Sequence, residues 1–144
     1  MGYSPKDIQS IKLFEGLQDT HRLELFEIAR RCELPIQTVI LKEGEESFSL
    51  YAIVRGSVEV TKGIVGKPER LASLVRGDCF GEMALLEGKS RSATVTTLEA
   101  TTLLEFEMKA LEKLFERQPR IAHKVYQNLA RILSARLRAT ITKP

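Results

Sequence analysis

The sequence contains few of the residues that build disulfide frameworks and metal centres. Its 144 residues include two cysteines and two histidines. Cys32 and Cys79 form no C-x-x-C pair and have no histidine at metal-ligand spacing, so we expect two reduced thiols rather than a disulfide or a metal site. This scarcity argues against a disulfide-stapled secreted scaffold.

Long apolar segments are also missing. The longest unbroken apolar run is five residues, Leu50 to Val54, far below the roughly 20 that a transmembrane helix needs. The first ten residues, MGYSPKDIQS, lack the apolar region of a secretory signal. With 43% hydrophobic and 28% charged residues, the composition is that of a globular chain with one core. We expect a single cytoplasmic domain, residues 1–144, without a membrane span.

Carboxylates are missing from one end of the chain. Residues 117–144 contain seven cations and no carboxylate, whereas residues 1–116 contain fifteen cations and nineteen carboxylates, a net charge of −4. A basic segment can meet phosphate, a membrane surface or an acidic partner, but a solvated cationic helix face is the commoner explanation. Charge alone therefore assigns no partner.

Hydrophobic periodicity divides the chain into three regions. Residues 1–35 predict a helical N-terminus, with a helix from Asp19 to Arg31 that Pro35 follows. In residues 36–107, short β-branched runs alternate with glycines, and seven of the nine glycines lie between Gly44 and Gly88. This spacing predicts a compact antiparallel β-roll. The predicted strands are 36–41, 50–54, 57–61, 70–75, 92–96 and 101–107.

The third region, residues 108–144, is predicted to be helical. A short amphipathic helix covers Met108 to Arg117, and Pro119 opens a second helix that runs to about Thr140. The second helix has an apolar stripe too long for an unpartnered surface helix, so it should pack on the roll or on a second copy of the chain. We expect a homodimer through this C-terminal helix. The stripe consists of Ile121, Val125, Leu129, Ile132, Leu133 and Leu137.

The segment that carries chemistry is CFGEMALLEGKSRSATV, residues 79–95. Gly81 lets the backbone approach a ligand closely, and good helix formers follow it. Amides that open a short helix attract a small anion, and the Arg91 guanidinium can add two charge-assisted hydrogen bonds. The Glu82 carboxylate can only accept hydrogen bonds, so a sugar hydroxyl is a fitting partner for it.

These residues resemble the phosphate-binding cassette of the cyclic nucleotide-binding domain family, which reads F-G-E-[LM]-A-L followed by R-[SAT]-A. In this chain the two parts are Phe80 to Leu85 and Arg91 to Ala93. The resemblance covers nearly the whole chain and implies an eight-stranded antiparallel β-roll of jelly-roll type, with an N-terminal helix and two C-terminal helices. Further matches are Leu13-Phe14-x-x-Leu17, Glu43-Gly44-Glu45, Tyr51, Gly56-Ser57-Val58, Arg76-Gly77-Asp78 and Pro119.

The resemblance also implies roles for individual residues. Glu82 would hold the ribose, Arg91 the cyclic phosphate, and backbone amides near Met83 the remainder of the phosphate. Ser92, after the arginine, favours cyclic AMP, although its hydroxyl leaves cyclic GMP open. No other cofactor is expected. The candidate nucleotide-binding residues are Gly81, Glu82, Met83, Ala84, Arg91 and Ser92.

The surroundings of the base are less defined. Val60, Leu71 and Leu74 lie where the family supplies an apolar wall, although such residues are more often simply core. The bacterial activator branch places hydroxyl residues of the long helix against adenine, whereas this chain has Arg136 and Leu137 there. Arg131 or Arg136 would then cover the base by stacking, or both would only solvate the helix.

Two other function classes are open to such a chain, a metal-dependent enzyme and a DNA-binding protein. A metal-dependent cupin enzyme needs clustered histidines on facing strands, and His21 and His123 both fall on predicted helices. DNA-binding regulators, kinases and channels of the family place this sensor beside an effector, so the chain is either a sensor fragment of such a protein or acts on a partner. No nucleic-acid contact is expected from this chain alone. The expected function is regulatory binding of a cyclic nucleotide, not catalysis.

Overall fold

The computed structural model describes residues 5–63, 67–86 and 91–142. Within these ranges the chain forms two four-stranded antiparallel sheets flanked by helices, which confirms the eight-stranded β-roll. The strands are β1 (Arg30–Leu34), β2 (Val39–Leu41), β3 (Ser49–Arg55), β4 (Ser57–Lys62), β5 (Glu69–Val75), β6 (Cys79–Phe80), β7 (Thr94–Thr97) and β8 (Thr101–Glu107). The helices are α1 (Lys6–Gln9), α2 (Asp19–Ile28), α3 (Met83–Leu86), α4 (Met108–Arg117) and α5 (Pro119–Thr142), with a 3-10 segment at Lys12–Phe14.

One core lies between the two sheets, and a second lies between the first sheet and the helices. The first sheet has the order β1-β8-β3-β6, and the second has the order β2-β7-β4-β5. The longest apolar run, Leu50 to Val54, lies in strand β3, and it is apolar throughout because both faces of this strand are covered. Leu50 and Ala52 belong to the core under the helices, and Ile53 belongs to the core between the sheets. Strand β3 is therefore held by apolar contacts on both of its faces.

Helix α5 packs on the roll through its first half. Ile121, Val125 and Leu129 are buried in the core that α5 shares with the first sheet. Farther along the helix, Leu137 and Ile141 are 61% and 71% exposed. The apolar stripe is thus divided between a part that docks on the roll and a part that faces outwards. None of the helices in the described ranges combines the length and apolarity that crossing a bilayer requires.

Two local features differ from the sequence prediction. Helix α2 ends at Ile28 rather than Arg31, and the next residues form β1, which lies inside the region predicted to be helical. Strand β1 pairs with β8, with Cys32 opposite Leu103, so a ladder of backbone hydrogen bonds outweighs its polar sequence RRCEL. The second feature is a β-bulge in the β4–β5 pair at Leu71, between the paired positions Val60–Ala72 and Thr61–Arg70.

Candidate functional site

A cavity of about 200 Å³ lies between the two sheets and opens beside α3. Its wall is apolar where the strands of the second sheet contribute, and polar where the segment after β6 and the segment before β7 meet. An apolar pocket with a few convergent polar groups is typical of a small-molecule site. The lining residues are Leu41, Val60, Ala72, Leu74, Cys79, Phe80, Gly81, Glu82, Met83, Arg91, Ser92, Ala93, Val95 and Arg136.

Arg91 is the buried cation of this cavity, with 7% of its surface exposed. Its Nη2 donates to the Ser49 carbonyl oxygen at 2.8 Å, its Nε to Ser47 Oγ at 3.0 Å, and its Nη1 to the Gly81 carbonyl oxygen at 3.4 Å. Burial lowers the pKa of the guanidinium from its ordinary value, but an arginine remains charged at neutral pH. No salt bridge among the described residues joins Arg91 to a carboxylate. The geometry therefore suits a small anion as the missing counter-charge.

The backbone around Arg91 is fixed by hydrogen bonds to a neighbouring loop. The Arg91 amide donates to the Glu45 carbonyl oxygen at 2.9 Å, and the Arg91 carbonyl oxygen accepts from the Gly44 amide at 2.8 Å. These two bonds hold the backbone of Arg91, which precedes β7, against the loop between β2 and β3. The segment E-G-E of the sequence thus has a structural partner in the R-S-A segment.

Gly81 allows the close approach of backbone and guanidinium. Its φ is +81°, and a Cβ there would lie 2.8 Å from the Ser49 carbonyl oxygen and 2.9 Å from Arg91 Nη1. Any side chain would therefore strain the backbone and displace the arginine.

Glu82 lines the cavity beside Arg136, a residue in the second half of α5. Its side chain is only 12% exposed, and its Oε1 accepts a hydrogen bond from Arg136 Nη1 at 2.7 Å. This ion pair links α5 to the segment that follows β6. A bound ligand that contacts Glu82 would therefore also affect a residue of the C-terminal helix.

An aromatic pair lies on the first-sheet side of the cavity. Tyr51 stacks on Phe80 with ring centroids 5.2 Å apart and an interplanar angle of 11°. The Tyr51 hydroxyl donates to Glu105 Oε2 at 3.3 Å, and burial, followed by the charge of Glu105, raises the pKa of Tyr51 to about 12. The hydroxyl is therefore neutral at physiological pH. Cys79, which also lines the cavity, is a free thiol whose pKa is raised by burial.

The structure brings most of the predicted site residues to this cavity. Gly81, Glu82, Met83, Arg91 and Ser92 line it. Ala84 follows Met83 in α3, and its side chain lies outside the described part of the chain.

Of the residues predicted to form the apolar wall and the base cap, some line the cavity and others do not. Val60 and Leu74 line the cavity, whereas Leu71 does not and is 52% exposed. The reason is the alternation of a strand: residues three apart point to opposite faces, and Leu71 is also the unpaired residue of the bulge. Arg136 lines the cavity, whereas Arg131 is exposed and does not.

Some site residues were missed by the sequence reasoning. Ala72 lines the cavity, and the period of two from Leu74 could have identified it in place of Leu71. Two serines hold Arg91: Ser49 is the first residue of β3, and Ser47 lies in the loop just before it. The two serines contact Arg91 because the fold brings the beginning of β3 next to the segment before β7. No local sequence pattern indicates this proximity.

The metal-dependent alternative finds no support in the described residues. His21 lies in α2 and His123 in α5, as predicted, rather than on facing strands. Over the described ranges, no three His, Cys, Asp or Glu side chains cluster as metal ligands.

A family model described as the cyclic nucleotide-binding domain matches residues 31–118, more than half of the chain. Among curated proteins, the chain is 35% identical over 127 residues to the cyclic AMP receptor protein of Thermus thermophilus, covering 88% of this chain and 57% of that protein. The chain spans from 18% to 57% of the length of the first four curated relatives that it matches.

Solved structures show the same similarity. A cyclic nucleotide-binding domain from Methylobacillus flagellatus superposes with a TM-score of 0.82 at 28% identity, covering 93% of this chain and 76% of that one. The regulatory domain of Toxoplasma gondii PKA, crystallised with cAMP, superposes with a TM-score of 0.69 at 25% identity, covering 76% of this chain and 42% of that one.

Proposed function

The chain belongs to the cyclic nucleotide-binding domain family, and from this premise we propose that it is a regulatory module that binds a 3′,5′-cyclic purine nucleotide, with cyclic AMP as the preferred ligand. The observation that carries the proposal is Arg91, a buried guanidinium beside the cavity with no carboxylate in contact among the described residues. A cyclic phosphate carries one negative charge and has the oxygens that such a fork can bind. We assign the module no catalytic step.

Each part of the nucleotide has a proposed partner. Arg91 binds the phosphate, together with the backbone at Gly81, Met83 and Ala84. Glu82 accepts a hydrogen bond from the ribose 2′-hydroxyl. These roles follow the family cassette, and they are supported by the presence of Gly81, Glu82 and Arg91 around one cavity.

The base lies, in this proposal, against the apolar wall formed by Val60, Ala72 and Leu74, with Arg136 over it. Ser92 and the relatives that are named for cyclic AMP favour adenine over guanine. Titration with cyclic AMP and cyclic GMP side by side measures this preference. Tighter binding of cyclic GMP would reverse the assignment.

We expect the 2′-hydroxyl to contribute through Glu82. The wild-type protein should bind 2′-deoxy cyclic AMP about tenfold or more weakly than cyclic AMP, because a hydrogen bond to a charged group is worth about 1.5 to 3 kcal/mol. In Glu82→Gln the two nucleotides should bind within about threefold of each other, since an amide forms the weaker neutral bond. Calorimetry measures both ratios, and Glu46→Gln, an exposed carboxylate outside the cavity, should keep the wild-type ratio. A wild-type ratio near one would remove Glu82 from this role.

We also propose that the outer half of α5 joins two copies of the chain. Leu137 and Ile141 are four residues apart on one face of α5 and are largely exposed. Leu129 is buried in the core of a single copy, so a substitution there would not test a dimer interface. Glu at both positions, Leu137→Glu with Ile141→Glu, should convert a dimer to a monomer and leave nucleotide affinity within about twofold. Sedimentation velocity measures this, and Ala135→Glu, on another exposed face of the helix, should remain dimeric. A wild-type protein that is monomeric at every concentration would contradict the proposed dimer interface.

The response to ligand is proposed to reach α5 through the Glu82–Arg136 ion pair. A ligand shifts a conformational equilibrium only by binding one arrangement more tightly than another. When the ribose hydroxyl binds Glu82, this carboxylate is no longer the partner of Arg136 alone. The position of the outer half of α5, which carries Arg136, therefore depends on whether a nucleotide is bound.

A cytoplasmic location and a role as the sensor part of a DNA-binding regulator remain predictions. The mass of the native protein distinguishes a sensor fragment from a separate module.

A further inference from the structure

Two serines hold the guanidinium of Arg91 along one of its edges. Nε and Nη2 lie on the same edge of the planar group; Nε donates to Ser47 Oγ at 3.0 Å and Nη2 donates to the Ser49 carbonyl oxygen at 2.8 Å. Nη1, on the side of the cavity-lining Gly81, makes only a longer contact of 3.4 Å. The serines therefore fix the orientation of the fork and leave its other edge for a ligand.

Three carboxylates among the described residues lie near this cation: Glu82 pairs with Arg136, and Glu45 and Glu105 are each one serine away from Arg91. The Ser47 hydroxyl donates to Glu45 Oε1 at 3.4 Å, and the Ser49 hydroxyl donates to Glu105 Oε2 at 2.9 Å. A serine hydroxyl has one proton and can also accept, so Ser47 can accept from Arg91 and donate to Glu45 at the same time. No carboxylate in the described ranges contacts Arg91 directly.

This separation matters for an anion that must bind the same cation. A carboxylate in direct contact would take up guanidinium donors and repel a phosphate, whereas a carboxylate one residue away balances part of the buried charge and leaves the donors free. We propose that Ser47 is a positioning residue that sets the anion affinity of the site, because it holds Arg91 Nε and keeps that position free of a carboxylate. The proposal deepens the proposed function and rests on it for the identity of the anion.

The test compares Ser47→Asp with Ser47→Asn, two side chains of equal size that differ in charge. Ser47 is in a partly exposed loop before β3, so both variants should fold. The aspartate should pair directly with Arg91 and weaken cyclic AMP binding at least about thirtyfold relative to the asparagine variant, which should bind within about fivefold of wild type. Calorimetric titration measures the three dissociation constants.

Stability of the empty protein should change in the opposite direction. Ser47→Asp supplies a contact to the buried cation, so its urea midpoint should exceed that of Ser47→Asn, and the difference should vanish when both carry Arg91→Met. A merely structural role for Ser47 would move stability and affinity together.

Equal affinities of the two variants, or an aspartate variant that unfolds at a lower urea concentration than the asparagine variant, would overturn the proposal. If the wild-type protein binds no cyclic nucleotide, the proposed function fails on its own. The urea comparison with and without Arg91→Met then still decides whether Ser47 positions Arg91.

Discussion

Replacing Arg91 with alanine is expected to weaken cyclic AMP binding by about thirtyfold to several-thousandfold, a loss of about 2 to 5 kcal/mol. The guanidinium is 7% exposed and has no carboxylate in contact among the described residues, so the phosphate is the anion that it can pair with in the cavity. Without it, the phosphate would be desolvated and left without its counter-charge. Titration calorimetry measures the loss.

The controls separate charge, geometry and folding. Arg55→Ala removes an exposed arginine from β3, outside the cavity, and should leave the affinity unchanged. Arg91→Lys keeps the charge but loses the planar fork and its bonds to Ser47 and Ser49, so its affinity should lie between those of wild type and the alanine variant. An unchanged affinity in a folded Arg91→Ala protein would sink the assignment of the phosphate site.

The second large effect is expected at Gly81. Alanine there would place a Cβ 2.8 Å from the Ser49 carbonyl oxygen and 2.9 Å from Arg91 Nη1, at a φ of +81°. The backbone and the guanidinium must both shift, so affinity should fall about tenfold or more and the free energy of unfolding by about 2 to 4 kcal/mol, from positive φ and overpacking together. Calorimetry and urea unfolding measure the two losses.

Gly44 offers a matched control for this experiment. Its φ is +86°, close to that of Gly81, but a Cβ there would meet nothing within 4 Å. Gly44→Ala should therefore lose only the cost of a left-handed alanine, about 1 to 2 kcal/mol of stability, and keep its affinity for cyclic AMP. Equal effects on affinity at the two glycines would show that the approach of Gly81 to Arg91 is not what matters.

The roll was predictable from sequence where burial follows a simple period. The apolar run at Leu50 to Val54 predicted a strand, and the structure adds that both faces of this strand are covered. The apolar stripe that begins at Ile121 predicted a helix packed on the roll or on a second copy, and Ile121 to Leu129 pack on the roll. Strand β1 was missed because its apolar alternation has only two members, Cys32 and Leu34, too few to stand out beside three charged residues; its conformation comes from pairing with β8. Strand β6 is two residues long, too short to leave a pattern.

The site was predictable in part for a related reason. The residues of the cassette are close in sequence, so a linear motif could identify Gly81, Glu82 and Arg91 as candidates. The partners that orient Arg91 come from a distant strand start, and no spacing rule connects Ser47 and Ser49 to it. The ion pair of Glu82 with Arg136 likewise depends on where α5 docks, which is set by the burial of residues several turns earlier.

Hydrogen–deuterium exchange with saturating cyclic AMP tests the central claim most directly, because it reports the location of binding and the response of α5 in one experiment. Compared with 5′-AMP as the control, cyclic AMP should slow exchange in residues 79–86 and 91–95, and should change exchange around Arg136 in the outer half of α5. The α4 amides should be unaffected, since that helix does not line the cavity. No protection around Gly81 and Arg91, or equal protection by 5′-AMP, would contradict the cyclic nucleotide site, and protection there with no change in α5 would contradict its role in transmission.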